Sequence, residues 1–196
     1  MLDPSHSDEK LRIEDLRSFK ILDTPAEQAY DDVVKLASYI CDTPIALISL
    51  IDEDRQWFKA SVGLDVCETS RDVAFCAHAI LGRDMLEVPD ARADARFCDN
   101  PLVTDDDGIR FYAGVPVGLD AHSVGTLCVL DHQARGITPE QVSALDTLSR
   151  QVMAQLELRR QNRQLQERET RLELVLKGAN DGWWDWDLRT GERHNS

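Results

Sequence analysis

The chain has 196 residues, with 36 acids against 22 bases and a formal net charge of −14. Such a surface repels nucleic acid and anionic lipid at long range, which argues against both as partners. Apolar residues make up 42% of the sequence, enough to bury a core, and the length suits one domain with an extension rather than two full domains of ~100–150 residues.

The N-terminus, MLDPSHSDEK, lacks the apolar stretch of a secretory signal, and no apolar run approaches the ~20 residues of a membrane span. The cysteines at 41, 67, 76, 98 and 128 are odd in number and contain no CxxC pair. That usage suits free thiols in a reducing compartment, so the expected location is the cytoplasm.

Residues 9–20 carry Leu11, Leu16 and Phe19 at near-helical spacing and predict a short amphipathic helix. Thr24, with Glu27 three residues on and Pro25 at the first helical position, is a capping box and predicts a second helix start. Tyr30, Val33, Val34, Ala37 and Ile40 form its apolar face, which ends near Cys41. Ile45 to Ile51 is an apolar run of strand length, the pattern of a buried central strand. After a turn at Asp52-Glu53-Asp54, Gln56 to Val62 reads as the returning strand of a hairpin.

Cys76 to Leu81 predicts a short helix and Leu86 to Val88 a small strand. Pro89 to Gly108 is a long polar stretch with room for about one helical turn, and loops of this length inside a compact domain are usually functional or mobile. Ile109–Val117 and Val124–Leu130 are two further strands, joined by Gly118 to Ser123. Thr138-Pro139-Glu140-Gln141 repeats the capping device, and neither proline nor glycine follows until Gly178. A helix of about 40 residues, ~60 Å long, is predicted there. The element order gives an α/β (α+β) domain: an antiparallel-rich sheet with helices on its faces.

The segments ILDTPAEQAYDDVVKLASYICDTPIALISLIDEDRQWFKASVGLD, RDVAFCAHAIL, VPDARADARFCDNPLV, IRFYAGVPV and VGTLCVLD, in that order, closely resemble the GAF domains at the N-terminus of bacterial sensor histidine kinases and diguanylate cyclases. The resemblance covers roughly residues 10–160. The tail RLELVLKGANDGWWDWDLRTGE resembles the start of a PAS domain. The resemblance implies a GAF fold, with a central six-stranded antiparallel sheet, helices on one side forming a dimer bundle, and a ligand cavity on the other. It divides the chain into a GAF sensory domain with its N-terminal helix (1–160), an output helix or coiled-coil linker (139–178), and an incomplete PAS start (179–196). In the last segment Trp184, Trp186 and Leu188 alternate as a strand does.

Cys76 and His78 stand two apart, so on a helix they point to opposite sides and cannot share a metal. Bilin-binding GAF domains attach their chromophore through a cysteine directly followed by histidine. Here Ala77 intervenes, which argues against a covalent bilin, and the cofactor stays unassigned. The cysteines are scattered and the five histidines form no cluster, so no metal is expected. The free-methionine sulfoxide reductases share the fold and need pocket cysteines, for which Cys67, Cys76 and Cys98 are available. The blocks FCAHAI and FYAGVPV look instead like the sensory branch. A P-loop, a dinucleotide fingerprint and a nucleophile elbow are absent from the sequence, and no catalytic residue is assigned.

The candidate ligand pocket comprises the aromatics Trp57, Phe58, Phe75, Phe97, Phe111 and Tyr112, with Cys76 and His78, and the polar Asp90, Asp94, Arg96 and Asn100 of the long loop. Apolar walls with a few directed polar groups describe a small-molecule site. The alternative for the loop residues is that they only pin the loop to the sheet. On the last helix, Leu145, Leu148, Val152 and Leu156 form one packing face, and Leu158, Leu165 and Leu172 recur every seven residues as a seam for a two-stranded coil. The sequence thus points to a regulatory module that acts as a homodimer, senses a small ligand, and signals through a helix to PAS and a kinase or cyclic-di-GMP output. The rivals are a ligand-free dimerisation scaffold and the thiol reductase.

Overall fold

The computed structural model describes residues 6–119, 122–178, 184–186 and 193–195. It divides into two compact units, 1–157 and 158–196. The first contains a six-stranded sheet in the order β3-β2-β1-β6-β5-β4, with every neighbouring pair antiparallel. The strands are β1 (Ile45–Ile51), β2 (Arg55–Val62), β3 (Glu68–Ser70), β4 (Leu86–Val88), β5 (Phe111–Leu119) and β6 (His122–Asp131). Helices α1 (His6–Ser18), α2 (Gln28–Cys41) and the start of α5 (Pro139–Gly178) supply the core of one face. The short helices α3 (Phe75–Ala79) and α4 (Pro101–Thr104), with the loops around them, supply the other.

Strand β1 shows why the sheet sits at the centre. All seven residues are buried, and they alternate between two cores. Ala46, Ile48 and Leu50 join the helical face, while Ile45, Leu47 and Ile51 join the α3 face. Opposite β1, strand β2 carries one extra residue: Ile48 pairs with Ala60 and Ser49 with Phe58, leaving Lys59 as a bulge.

That bulge decides the start of α2. The Lys59 side chain is 0% exposed, and its ammonium donates to Glu27 Oε1 (2.7 Å), the Pro25 carbonyl (2.7 Å) and Thr24 Oγ1 (3.0 Å). The capping box expected from Thr24 and Glu27 therefore does not form. Both side chains face the lysine, and α2 begins at Gln28, after an extended Glu27. The same motif at Thr138 does form: Thr138 N–H donates to Gln141 Oε1 and Gln141 N–H to Thr138 Oγ1.

Two other expectations shift. Leu11 is exposed, and α1 buries Ile13 and Leu16 instead, with Arg12 also buried. Ile40 is partly exposed at the end of α2. At that end, the carbonyls of Ile40, Cys41 and the cap residue Asp42 are taken by Gln141 Nε2, Arg135 Nη2 and Arg135 Nη1 at 3.1, 3.1 and 2.6 Å. The root of α5 thus supplies donors to the last carbonyls of α2.

Helix α5 buries Leu145, Val152, Met153 and Leu156 in the helical-face core, with Leu148 packed against it. Leu158, Leu165 and Leu172 are exposed. Backbone strands β7 (Trp184–Trp186) and β8 (Arg193–Asn195) pair antiparallel in the second unit, so a strand does form at Trp184–Trp186. Leu188 lies outside the described residues. Among the described residues no helix is long and apolar enough to cross a membrane.

Candidate functional site

Period-two alternation sorts the predicted aromatics. Trp57 and Phe111 point into the helical-face core, whereas Phe58, Phe75, Phe97 and Tyr112 converge on the α3 face. There the rings stack: Phe75 lies 4.3 Å from Phe97 (20° between planes) and 5.3 Å from Tyr112 (21°). Tyr112 can lie flat on the sheet because position 114, next on the same face, is glycine. A methyl at Gly114 would run into the Tyr112 phenol.

Of the predicted polar residues, His78 and Arg96 border this stack. The His78 ring meets the Phe97 edge at 4.9 Å, and Arg96 lies over Phe97 at 5.1 Å. Burial holds the His78 imidazole below its ordinary pKa, Arg96 adds to the effect, and Asp94 opposes it. Asp94 pairs with Arg96 (2.6 Å) and Asp90 with Arg92 (2.9 Å), each two residues away along the loop. Asn100 accepts from the Leu102 N–H, capping α4, and donates to the Val73 carbonyl at 2.9 Å. These polar groups hold the loop's own shape and dock it on the segment before α3.

Beneath the stack lies a buried polar cluster that sequence reasoning missed except for Cys76 and Tyr112. Cys76 Sγ accepts from Gln56 Nε2 and from the Tyr112 hydroxyl, each at 3.4 Å, and lies 3.6 Å from Cys128 Sγ. Ser49 and Thr126, register partners on β1 and β6, are 0% exposed, and their hydroxyls lie near the Cys76 sulfur but make no well-aligned hydrogen bond among the described residues. Burial disfavours ionisation of Cys76, but the polar groups around its sulfur (Cys128 first, then Thr126, Tyr112 and Ser49) outweigh it and lower the thiol's pKa. Cys128 is pushed up by burial and by the neighbouring Cys76 sulfur. The sequence did carry a signal. Ser49 is the hydroxyl in the otherwise apolar IALISLI, and Thr126 and Cys128 stand two apart on one strand.

An open cleft of about 510 Å³ runs along the outer edge of β2, lined by Asp23, Asp31, Trp57, Lys59, Asp65 and Cys67 among others. It borders Trp57 and Phe58 but lies apart from Phe75, Phe97 and Tyr112. Among the described residues no group of three His, Cys, Asp or Glu is placed to hold a metal ion.

The chain matches the GAF domain family over residues 25–156. It belongs to that family. This GAF domain is 42% identical over 155 residues to a cyclic di-GMP phosphodiesterase of Pseudomonas aeruginosa, a match covering 78% of this chain and 26% of that protein. The chain thus spans about a quarter of that relative's length. Among solved structures, the GAF domain of an Acinetobacter phosphoenolpyruvate-protein phosphotransferase superposes with a TM-score of 0.57 at 20% identity, covering 75% of this chain and 93% of that one. A free methionine-R-sulfoxide reductase of Neisseria meningitidis, solved with its substrate, gives 0.56 at 15% identity, covering 83% and 97%. At these identities the likeness to the solved structures is one of fold.

Proposed function

We propose that this GAF domain is the regulatory front end of a protein that turns over cyclic di-GMP, and that it signals through α5 as a dimer to a PAS domain and the output beyond. The 42% identity to a cyclic di-GMP phosphodiesterase carries this reading. The burial pattern of α5 supports the relay, since one helix contributes Leu145 through Leu156 to the core and then presents Leu158, Leu165 and Leu172 outward. In this reading a small ligand enters the α3 face by displacing Phe97 and its loop, and it shifts the domain only as far as its affinities for the closed and opened states differ. The loop's exposed ion pairs, Asp90–Arg92 and Asp94–Arg96, contribute little to holding it closed.

A second reading, a scaffold that binds nothing, is favoured by the ring stack already filling that face. Native mass spectrometry of the purified chain separates the two: retained extra mass supports the sensor, and a bare dimer supports the scaffold. The relay is tested by inserting residues after Gln161 in a protein carrying the cyclic di-GMP output. Four residues rotate the helix by about 40° beyond a full turn, whereas seven preserve the heptad. Turnover of cyclic di-GMP should change several-fold with four residues and stay near the original with seven. Equal turnover in both would refute the relay.

A further inference from the structure

We propose that Cys76 and Cys128 form a redox-active dithiol that a small peroxide oxidises to an internal disulfide, joining α3 to the central strand β6. Three observations carry it. The two sulfurs are already 3.6 Å apart, so closing a bond of ~2.05 Å requires an approach of only about 1.5 Å. Both residues are buried, which excludes bulky disulfides and requires the oxidant to be as small as a peroxide. The pocket is built for a sulfur anion. Gln56 and Tyr112 already donate to Cys76, and the hydroxyls of Ser49 and Thr126, which make no well-aligned hydrogen bond, become aligned donors by rotating toward a Cys76 thiolate. A buried hydroxyl without an aligned partner is unfavourable, so thiolate formation relieves two such groups at once.

The steps balance without a further reactant. Cys76 releases its proton, and its sulfur attacks one oxygen of hydrogen peroxide. The O–O bond breaks and the departing hydroxide takes up a proton as water, leaving Cys76 as a sulfenic acid. The Cys128 sulfur then attacks the sulfenic sulfur, the S–O bond breaks, and hydroxide leaves with the Cys128 proton as a second water. In sum, two thiols and one peroxide give one disulfide and two waters. Cys76 is the attacking thiol because its donor cage favours the thiolate, whereas burial and the adjacent sulfur disfavour ionisation of Cys128. The product exchanges a polar cage around a sulfur anion for a covalent tie between the two elements that flank it.

The test uses the full chain, reduced, freed of thiol, treated with hydrogen peroxide, quenched and mapped by mass spectrometry. The expected product is a Cys76–Cys128 linkage, with intact mass lower by two hydrogens. Cys128→Ser should stop at a Cys76 sulfenic acid, captured by dimedone, and Tyr112→Phe should slow Cys76 oxidation at neutral pH several-fold. Oxidation of the wild-type chain in low urea, below the unfolding transition, should proceed at the rate seen without urea, a check that needs no variant to fold. The proposal is overturned if both thiols remain alkylatable at a dose that oxidises the exposed Cys67. It is also overturned if the disulfide joins other cysteines, or if the rate climbs with urea as unfolding does.

Discussion

Phe97 is the residue through which the α3 face can be weighed. It is 1% exposed, lies 4.3 Å from Phe75, and is bordered by His78 and Arg96. Phe97→Ala removes the burial and the stack together, a loss of about 3–5 kcal/mol for a large aromatic in a core. Phe97→Leu keeps most of the apolar volume and loses chiefly the ring–ring term, about 1 kcal/mol. With a urea slope of about 2 kcal/mol per molar, the midpoint should fall by about 2 M for alanine and about 0.5 M for leucine. In thermal melts the alanine variant should lose roughly 8–16 °C. Equilibrium urea unfolding followed by far-ultraviolet dichroism measures both. A loss of less than about 1 kcal/mol for Phe97→Ala would mean that Phe97 does not hold this face closed. A leucine variant as unstable as the alanine one would mean that the stack contributes nothing separable from volume.

Lys59→Met should lower stability by about 1–3 kcal/mol, because it leaves the Pro25 carbonyl and Thr24 hydroxyl without their donor. It should also free Thr24 and Glu27 to cap α2, which amide hydrogen exchange at residues 27–28 would register as added protection. Glu9 is held at about 2 by its hydrogen bonds to Arg12 and then Arg71, against the opposing effect of burial. Its folded pKa lies below the unfolded one, so its contribution is present above about 4.5 and is lost as pH falls toward 2. Glu9→Gln should accordingly lower stability by about 1–2 kcal/mol at neutral pH, after allowance for solvent screening, and by almost nothing near pH 2 in urea titrations. Gly114→Ala should displace the Tyr112 ring and lower stability by about 1–3 kcal/mol, and a second change, Tyr112→Ala, should remove most of the penalty specific to the methyl group.

Much of the architecture was readable along the chain because it depends on local chemistry. IALISLI forms the expected strand, and Pro139–Gly178 forms the expected helix. The two Thr-Pro-x-Glu/Gln motifs show where local reading stops. Both have the residues of a capping box, but only the second is left free to use them. The first meets a buried ammonium 35 residues downstream, placed there by a bulge that no local pattern announces. The aromatic pairs teach a different lesson. Trp57 and Phe58, like Phe111 and Tyr112, are adjacent on strands, so they must face opposite sides. Grouping them by nearness in sequence joined two cores that the sheet keeps apart. Cys128 carries no local signal of its pairing because its chemistry depends on a partner 52 residues away.

The knot between the end of α2 and the root of α5 has a mechanical consequence. Arg135 and Gln141 occupy the last two carbonyls of α2 and that of its cap residue Asp42, and Gln141 is at the same time a member of the box that starts α5. Neither helix end can fray without stripping partners from the other, so the two should open as one cooperative unit and show matched protection in native-state exchange. The tip of α2 is therefore tied to the first turn of α5 by a direct hydrogen bond, with no strand of the sheet between them.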